Sequence, residues 1–587
     1  MRQNSPNVSK TQAMDLGVIQ SLYDKGEFRK VVFRAQKALK IRPGHVGLHA
    51  LAGFSAQQLG DDGIAETLLF KAAQLAQEEG NTSLELPLGL VQAGRHALAV
   101  PLFVACLKET PEHAAALNGL GRSLLALGEV ENAIVLLGDA LKHGADQPRY
   151  AADLGAAFEA SGQPVLALEC YEIARKLAPK LGRFTRSAKV MYGLGQFGKA
   201  VECLEEGLAL WPDDPALLSN YASVLNALGR RADALTQWQK VLEAHPSYSI
   251  AYSNFANSQK PSLIEGFEDR IDAQLKRNSA KTDVLKFRYA KVAVLEERGD
   301  YEVAYRNLLT ANALRFEEAG FDIEAEARLF DQIKQQFEDQ PELELAVGES
   351  EATPIFILGM PRAGSSLTET IIGRHSEVEQ KGELDYLALL VNQLGLLGNP
   401  FDSAQANLFR QTYLSRLTQT GGGAFITDKM PQNFRLIGHI ATAMPMARIV
   451  HVHRDPKACC WSNFRHFFAS DSLGFTNDVD CLIRYYDMYC DMMRFWSERF
   501  PGRIIDVNYE NLVADPGAQI PVLIQSLGLE WQEECLAPQD SATVVRTASQ
   551  DQVRQKIYKG SAQGWRKYEA QAGKWLDRLP SHQPIGG

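Results

Sequence analysis

TPIFILGMPRAGSSLTETIIGRH, residues 353–375, is the stretch around which the rest of the chain is organised. Ile355-Phe356-Ile357-Leu358 is an unbroken apolar run, as expected of a parallel strand covered on both faces. The run stops at Gly359, passes through a compact loop, and resumes with helical spacing at about Ser365. Strand, glycine-bearing loop and helix together make an anion cradle, because loop N–H groups and the helix N-terminus converge on one negative group. Gly359-x4-Gly364 matches the opening of the nucleotide-binding P-loop, but Ser365-Ser366 stand where that pattern has Lys followed by Ser or Thr. The absent lysine argues against an ordinary triphosphatase or nucleotide kinase. Arg362 inside the loop offers instead a planar, permanently charged fork for phosphate or sulfate oxygens. Taken alone, the same residues are equally readable as a bare turn between strand and helix.

A second signal begins at Ala447. Arg448-Ile449-Val450-His451-Val452-His453 reads as another buried strand, ending in Arg454-Asp455-Pro456, with Ser462 eight residues after the arginine. Loops at the carboxyl ends of strands in an open α/β sheet are where ligands bind, so Arg454 is expected to face the same crevice as the first loop. Loop, strand-end arginine and downstream serine together resemble the nucleotide site of sulfotransferases that use 3′-phosphoadenosine 5′-phosphosulfate. The resemblance implies that Arg362, Ala363, Gly364, Ser365 and Ser366 hold the 5′-phosphosulfate, and that Arg454 and Ser462 hold the 3′-phosphate.

Further residues extend the match. Gly382-Glu383, then Asp428-Lys429-Met430-Pro431, resemble in order and spacing the tyrosylprotein sulfotransferases, and the whole chain resembles bacterial proteins that fuse tetratricopeptide repeats to a sulfotransferase domain. By that resemblance Glu383 is the catalytic base and Lys429 stabilises the transition state. The residues themselves allow these roles: a carboxylate beside a cationic site accepts an alcohol or phenol proton as charge develops, and Lys429 follows the strand Phe425-Ile426-Thr427. Asp385 is the competing carboxylate. Tyr509, in Asn508-Tyr509-Glu510, is implied to pack on the adenine or its phosphate. Residues 546–565 resemble the loop that closes over the nucleotide, with Ser549 matching a transition-state serine, Lys559 and Gly560 suited to phosphate, and Trp565 suited to stacking on adenine. The pattern departs from the family twice: a late lysine falls on Gly564, with Arg566-Lys567 beyond it, and a second 3′-phosphate arginine falls on His466, with Arg465 beside it.

Upstream the sequence repeats. Gly26, Gly60, Gly94, Gly128, Gly162, Gly195 and Gly229 are separated by 34, 34, 34, 34, 33 and 34 residues. Five residues after each glycine stands Val31, Ala65, Ala99, Ala133, Ala167, Ala200 or Ala234, and twelve after it Ala38, Ala72, Cys106, Ala140, Ala174, Gly207 or Val241. Small residues at two fixed positions let paired helices approach closely, and Pro43, Pro111, Pro179, Pro212 and Pro246 stop the second helix in five units. This resembles the tetratricopeptide repeat, whose period is 34 residues. Such arrays form a curved solenoid whose concave face binds an extended peptide or protein; packing on the catalytic domain, or homodimerisation, is the competing use. Gly299, Ala304 and Ala311 repeat the spacing once more, suggesting a degenerate eighth unit.

The expected organisation is therefore a repeat solenoid over 1–256, a helical connector over 257–350, and an α/β domain with a mostly parallel sheet over 351–587. Within that domain the expected strands are 355–358, 424–427, 448–453 and 503–507. The expected helices are 365–374, 383–395, 403–418, 432–442, 456–468 and 477–500.

Composition sets the limits. The 587 residues carry a formal net charge of −10, with 45% hydrophobic and 22% charged residues, which is ordinary for a globular chain and disfavours unspecific binding to nucleic acid or anionic membrane. No run approaches the ~18 apolar residues of a membrane helix. The start, MRQNSPNVSKTQAMD, lacks the apolar centre of a secretory signal. Eight cysteines are scattered without CxxC spacing, and Cys459-Cys460 read as small core residues; a reduced, cytoplasmic setting is expected. No metal-ligand pattern stands out among the twelve histidines, and His451 and His453 read as hydrogen-bonded structural imidazoles. Two functions of different class follow. One is a sulfotransferase whose repeats present a protein or peptide acceptor, tyrosine above all. The other is a repeat scaffold that binds nucleotide without turnover.

Overall fold

The computed structural model describes residues 7–277, 280–338, 340–345, 352–399, 401–418, 423–540 and 559–580. Packing divides the chain into two compact units, Met1–Val190 and Met191–Gly587.

The first unit is built of paired helices, such as Val46–Gln58 with Asp62–Glu78 and Ala114–Ala126 with Val130–His143. The repeating glycine explains each turn. All seven glycines have φ between +72° and +86°, a left-handed conformation that costs a side-chain-bearing residue energy. At Gly60 that conformation sends the glycine N–H to Gln57 O at 3.0 Å and the Asp61 N–H to Ala56 O at 3.0 Å, closing the end of the first helix. The alanines five residues on, from Ala65 to Ala234, are wholly buried, so the small side chain sets how closely the two helices meet.

The second unit opens with the same construction around Gly195 and Gly229. It then contains a pair the 34-residue count passes over, Ser249–Ser258 and Phe267–Arg277, turning at Gly266 with φ +66°. A 3-10 turn, Pro261–Leu263, lengthens the step from Gly229 to Gly266, and buried Ile271 stands where the other units have alanine or valine. Helices α1 (Lys281–Arg298) and α2 (Tyr301–Ala319) turn at Gly299 with φ +84° and bury Ala304 and Ala311. Helix α3 spans Ile323–Glu338.

The sheet follows: β1 (Thr353–Gly359), β2 (Val378–Gln380), β3 (Phe425–Asp428), β4 (Arg448–His453) and β5 (Ile504–Asn508). Its order is β2-β3-β1-β4-β5 and every pairing is parallel. Alternate residues of β1 serve two cores. Ile355 and Ile357 pack with Val450, Ile371 and Ile524, while Phe356 and Leu358 join a larger core that includes Phe330 and Phe337 of α3, with Phe434 and Trp496. The connector is tied to the same core by polar contacts. Asn312 donates to Phe464 O at 2.9 Å, and buried Arg315 donates to Phe468 O at 3.1 Å and to Asp471 at 2.7 Å.

One strand lies outside the expected elements, and three expected helices differ. β2 has only three partly exposed residues at the sheet edge, too few for an alternating signal. The helix expected from 383 begins at Tyr386, leaving Glu383 in a loop. The helix expected over 432–442 is a 3-10 turn, Pro431–Leu436, continued by Ile437–Ala443; that expected over 456–468 is α5 (Pro456–Arg465), ending before a 3-10 turn at Asp471–Asn477. Helix α6 is Val479–Arg499, capped by Asp478, whose carboxylate accepts from Cys481 N at 2.9 Å.

Candidate active site

Because all five strands are parallel, their carboxyl ends lie along one edge, and each is followed by a candidate residue. The loop 360–364 follows β1, Glu383 follows β2, Lys429 follows β3, Arg454 follows β4, and Tyr509 follows β5. The chain order reverses beside β1, the strand that bears the loop, which is where open α/β sheets bind ligands.

The loop is held in an unusual conformation. Arg362 has φ +66°, the only positive value at a non-glycine among the described residues. Gly359 has φ +140°, and a Cβ there would lie 2.3 Å from Val452 O. Gly364 has φ +115°, and a Cβ there would lie 2.3 Å from Tyr509 Cδ2. Both glycines are thus required by close approach as well as by backbone angle. Helix α4 (Ser365–Ile372) begins directly after, with Ala363, Ser365 and Ser366 buried at its N-terminus. Asn463 of α5, which the sequence reading passed over, clamps the loop by donating to Pro361 O at 2.7 Å.

Cations converge on this loop. Arg362 Nε donates to Ser462 Oγ at 3.1 Å, and Arg454 Nη1 donates to Arg362 O at 3.1 Å. The Arg454 guanidinium sits over the Tyr509 ring, 4.8 Å from its centroid. Burial, then the charges of Arg454 and Arg465, push the Arg362 guanidinium down to about 10. Trp565 is buried under Lys457, whose ammonium lies 5.2 Å from the ring centroid. Arg362, Arg454, Ser462 and Trp565 all line one cavity of about 240 Å³. Lys559 and Gly560 begin the 3-10 helix Lys559–Tyr568. Ser549 lies outside the described residues.

At the other end of the edge, Lys429 is buried and its ammonium donates to the Glu383 carboxylate. The Glu383 loop is anchored by Glu369 of α4, a lone acid on an otherwise apolar and hydroxyl-bearing helix. Glu369 accepts from Gly382 N at 2.9 Å and from Thr427 Oγ1 at 2.8 Å, and Lys429 N donates to Gly382 O at 2.9 Å. Helix α4 therefore continues directly from the loop 360–364 and is bonded to the loop that bears Glu383. Beneath it Asp428 accepts from Tyr413 Oη at 2.7 Å, and burial raises its carboxyl to about 8.

Residues 354–533 match a family model described as the sulfotransferase family. This part of the chain is a sulfotransferase-family domain. Residues 90–156 and 185–249 match tetratricopeptide-repeat models. The chain is 28% identical over 393 residues to an uncharacterized protein of Aquifex aeolicus, covering 63% of this chain and 51% of that protein, so it spans about half the length of that relative. It is 23% identical over 195 residues to a Caenorhabditis briggsae protein named "Putative protein-tyrosine sulfotransferase", covering 31% of this chain and 68% of that one. Among solved structures, MamA covers 28% of this chain and 95% of its own at 19% identity and a TM-score of 0.26. YrrB, described as a TPR protein with an unusual peptide-binding site, covers 30% and 91% at 19% identity and a TM-score of 0.25.

Other readings resolve around the sulfotransferase domain. His451 bonds Asp506 Oδ1 and Tyr489 Oη, each at 2.5 Å, and His453 lies 3.3 Å from Asp506 Oδ2, so these imidazoles are internally satisfied. Among the described residues no three potential metal ligands gather, and no helix is long and apolar enough to cross a membrane. Cys459 and Cys460 are buried, and burial raises both thiols, Cys459 to about 12.

Proposed function

We propose that the chain is a sulfotransferase that takes a sulfuryl group from 3′-phosphoadenosine 5′-phosphosulfate to an acceptor hydroxyl. The observation that carries this is the contact set Arg454–Arg362–Ser462 at the carboxyl edge of a parallel sheet, within a sulfotransferase-family domain. The residues suit the donor. Burial, then the neighbouring charges of Arg454 and Arg465, lower the Arg362 guanidinium, a strain that a multivalent anion relieves, and loop N–H groups with the α4 N-terminus suit the phosphosulfate. In this reading Arg362 to Ser366 hold the 5′ side, Arg454 and Ser462 the 3′-phosphate, Tyr509 braces loop and arginine, and Trp565 offers a face for adenine. Lys559 and Gly560 belong to the closing segment, with Ser549 assigned by resemblance alone.

When bound, the donor supplies an electrophilic sulfur with a phosphate leaving group. Glu383 takes the proton of the acceptor hydroxyl, and Lys429 both orients that carboxylate and offers positive charge where negative charge develops. The acceptor in this proposal is a protein or peptide tyrosine presented by the repeats, with 1–256 as the repeat array, 257–350 as connector and 351–587 as transfer domain. The setting is cytoplasmic, and a homodimer is the other use of the array. Calorimetry tests the donor: adenosine 3′,5′-bisphosphate must bind much more tightly than AMP, and equal affinity removes the assignment. Radiolabelled donor incubated with cell extract then reveals the acceptor by which macromolecule takes up label.

A further inference from the structure

The cavity that holds Arg362, Arg454 and Ser462 has a second wall that the sulfotransferase domain does not supply. Glu296 at the end of α1 and Tyr301 at the start of α2 both line it, facing Arg465 at the end of α5. Glu296 grips Arg465 as a fork. Arg465 Nε donates to Glu296 Oε1 at 2.5 Å, Nη2 donates to Oε2, and Tyr568 Oη donates to Oε1 at 2.7 Å. The guanidinium is therefore oriented before any ligand arrives, which reduces the rotamer freedom lost on binding. The bonds to Glu296 use Nε and Nη2, and a guanidinium has a third nitrogen, Nη1, to offer.

We propose that Arg465, oriented by Glu296 and Tyr568, is the second cation for the donor's 3′-phosphate, so that the helical connector builds part of the nucleotide pocket. The inference rests on the donor assignment above. Sequence correspondence puts the family's second arginine on His466, but His466 does not line the cavity and Arg465 does. Burial, then Arg362 and Arg465, push the His466 imidazole down to about 3, so it is uncharged near neutral pH. For Arg465 burial acts downward, but the Glu296 carboxylate outweighs it and holds the guanidinium above its ordinary value. One residue of displacement along a helix end has thus moved the charge, and a carboxylate from α1, 169 residues away in sequence, keeps it aimed.

The test is calorimetry on the full chain with adenosine 3′,5′-bisphosphate and AMP as probes. Arg465→Ala is expected to weaken the bisphosphate about tenfold or more, the scale of a charge-assisted contact, and to leave AMP within about twofold. AMP affinity and an unchanged thermal melt serve as the folding control. Arg465→Lys, which keeps the charge and loses the fork, is expected to fall between. His466→Ala is expected to bind both probes like the unaltered chain. If the unaltered chain prefers the bisphosphate and Arg465→Ala prefers it equally, or if His466→Ala takes the tenfold loss instead, this proposal is overturned while the donor assignment stands. If the unaltered chain does not distinguish the probes, the donor assignment itself fails and takes the role of Arg465 with it.

Discussion

The ammonium of Lys429, wholly buried, is bonded to the carboxylate of Glu383, whose side chain is 44% exposed. Each residue solves the other's problem: a buried lysine needs a counter-charge, and a loop carboxylate needs orientation. The pair joins the loop after β2 to the end of β3, although the two residues stand 46 apart in sequence.

Glu383→Gln should lower kcat by about 100-fold or more, since general-base catalysis contributes on that scale, while bisphosphate affinity stays within about twofold. The amide keeps an oxygen for Lys429, so the fold should survive. Steady-state kinetics with donor saturating, beside calorimetry, separates the two effects. Retained activity here with loss in Asp385→Asn would move the base to Asp385.

Lys429→Met removes the charge while filling the same buried volume. The expected result is a fall in kcat of about 100- to 1,000-fold, as for loss of one preorganised electrostatic contact, with acceptor KM changing far less. A variant that loses KM alone would show that Lys429 only binds.

Arg454→Ala should weaken the bisphosphate by roughly 1.5–3 kcal/mol, the range for a hydrogen bond to a charged group, and so by at least tenfold. AMP should be affected much less. Some loss for both nucleotides is allowed, because Arg454 also supports the loop at Arg362 O; equal loss for both would remove the 3′-phosphate role.

Stability should fall as pH rises from about 4 to about 8. Burial raises Asp428 to about 8 in the folded chain, against ~3.9 for an unfolded aspartate, so between these values the folded state binds the extra proton. Its contribution is fully present below the unfolded value and lost as pH passes the folded one. Asp428→Asn, which can still accept from Tyr413, should flatten this slope and be relatively more stable at pH 9 than at pH 5. Urea melts across that range would count against the assignment if both proteins kept the same slope.

Deleting the first compact unit, residues 1–190, should leave bisphosphate binding intact and remove transfer to a macromolecular acceptor, while a small phenol is still sulfated. Unchanged labelling of the large acceptor would show that this unit does not select it.

Much of the molecule is written locally, and those parts were legible. Seven repeats could be counted because a left-handed glycine closes each first helix and a small residue five positions on sets the packing distance, both within a few residues of chain, whereas the pair turning at Gly266 departs from that spacing and carries Ile271 at the small-residue position. The strand, loop and helix of the candidate site could be read because strand, glycine and helix start are contiguous from Ile355 to Ser366. What only the tertiary structure decided depends on which distant segments lie side by side. β2 becomes a strand through its neighbour β3, not through its own three residues, and its end sets the place of Glu383. Glu369 becomes an anchor because Gly382 and Thr427 are folded against α4. Arg465 rather than His466 faces the cavity because Glu296 reaches it from another helix. A local pattern fixes backbone conformation and burial period; the partner of a charge is set by packing across the fold, which no short-range pattern encodes.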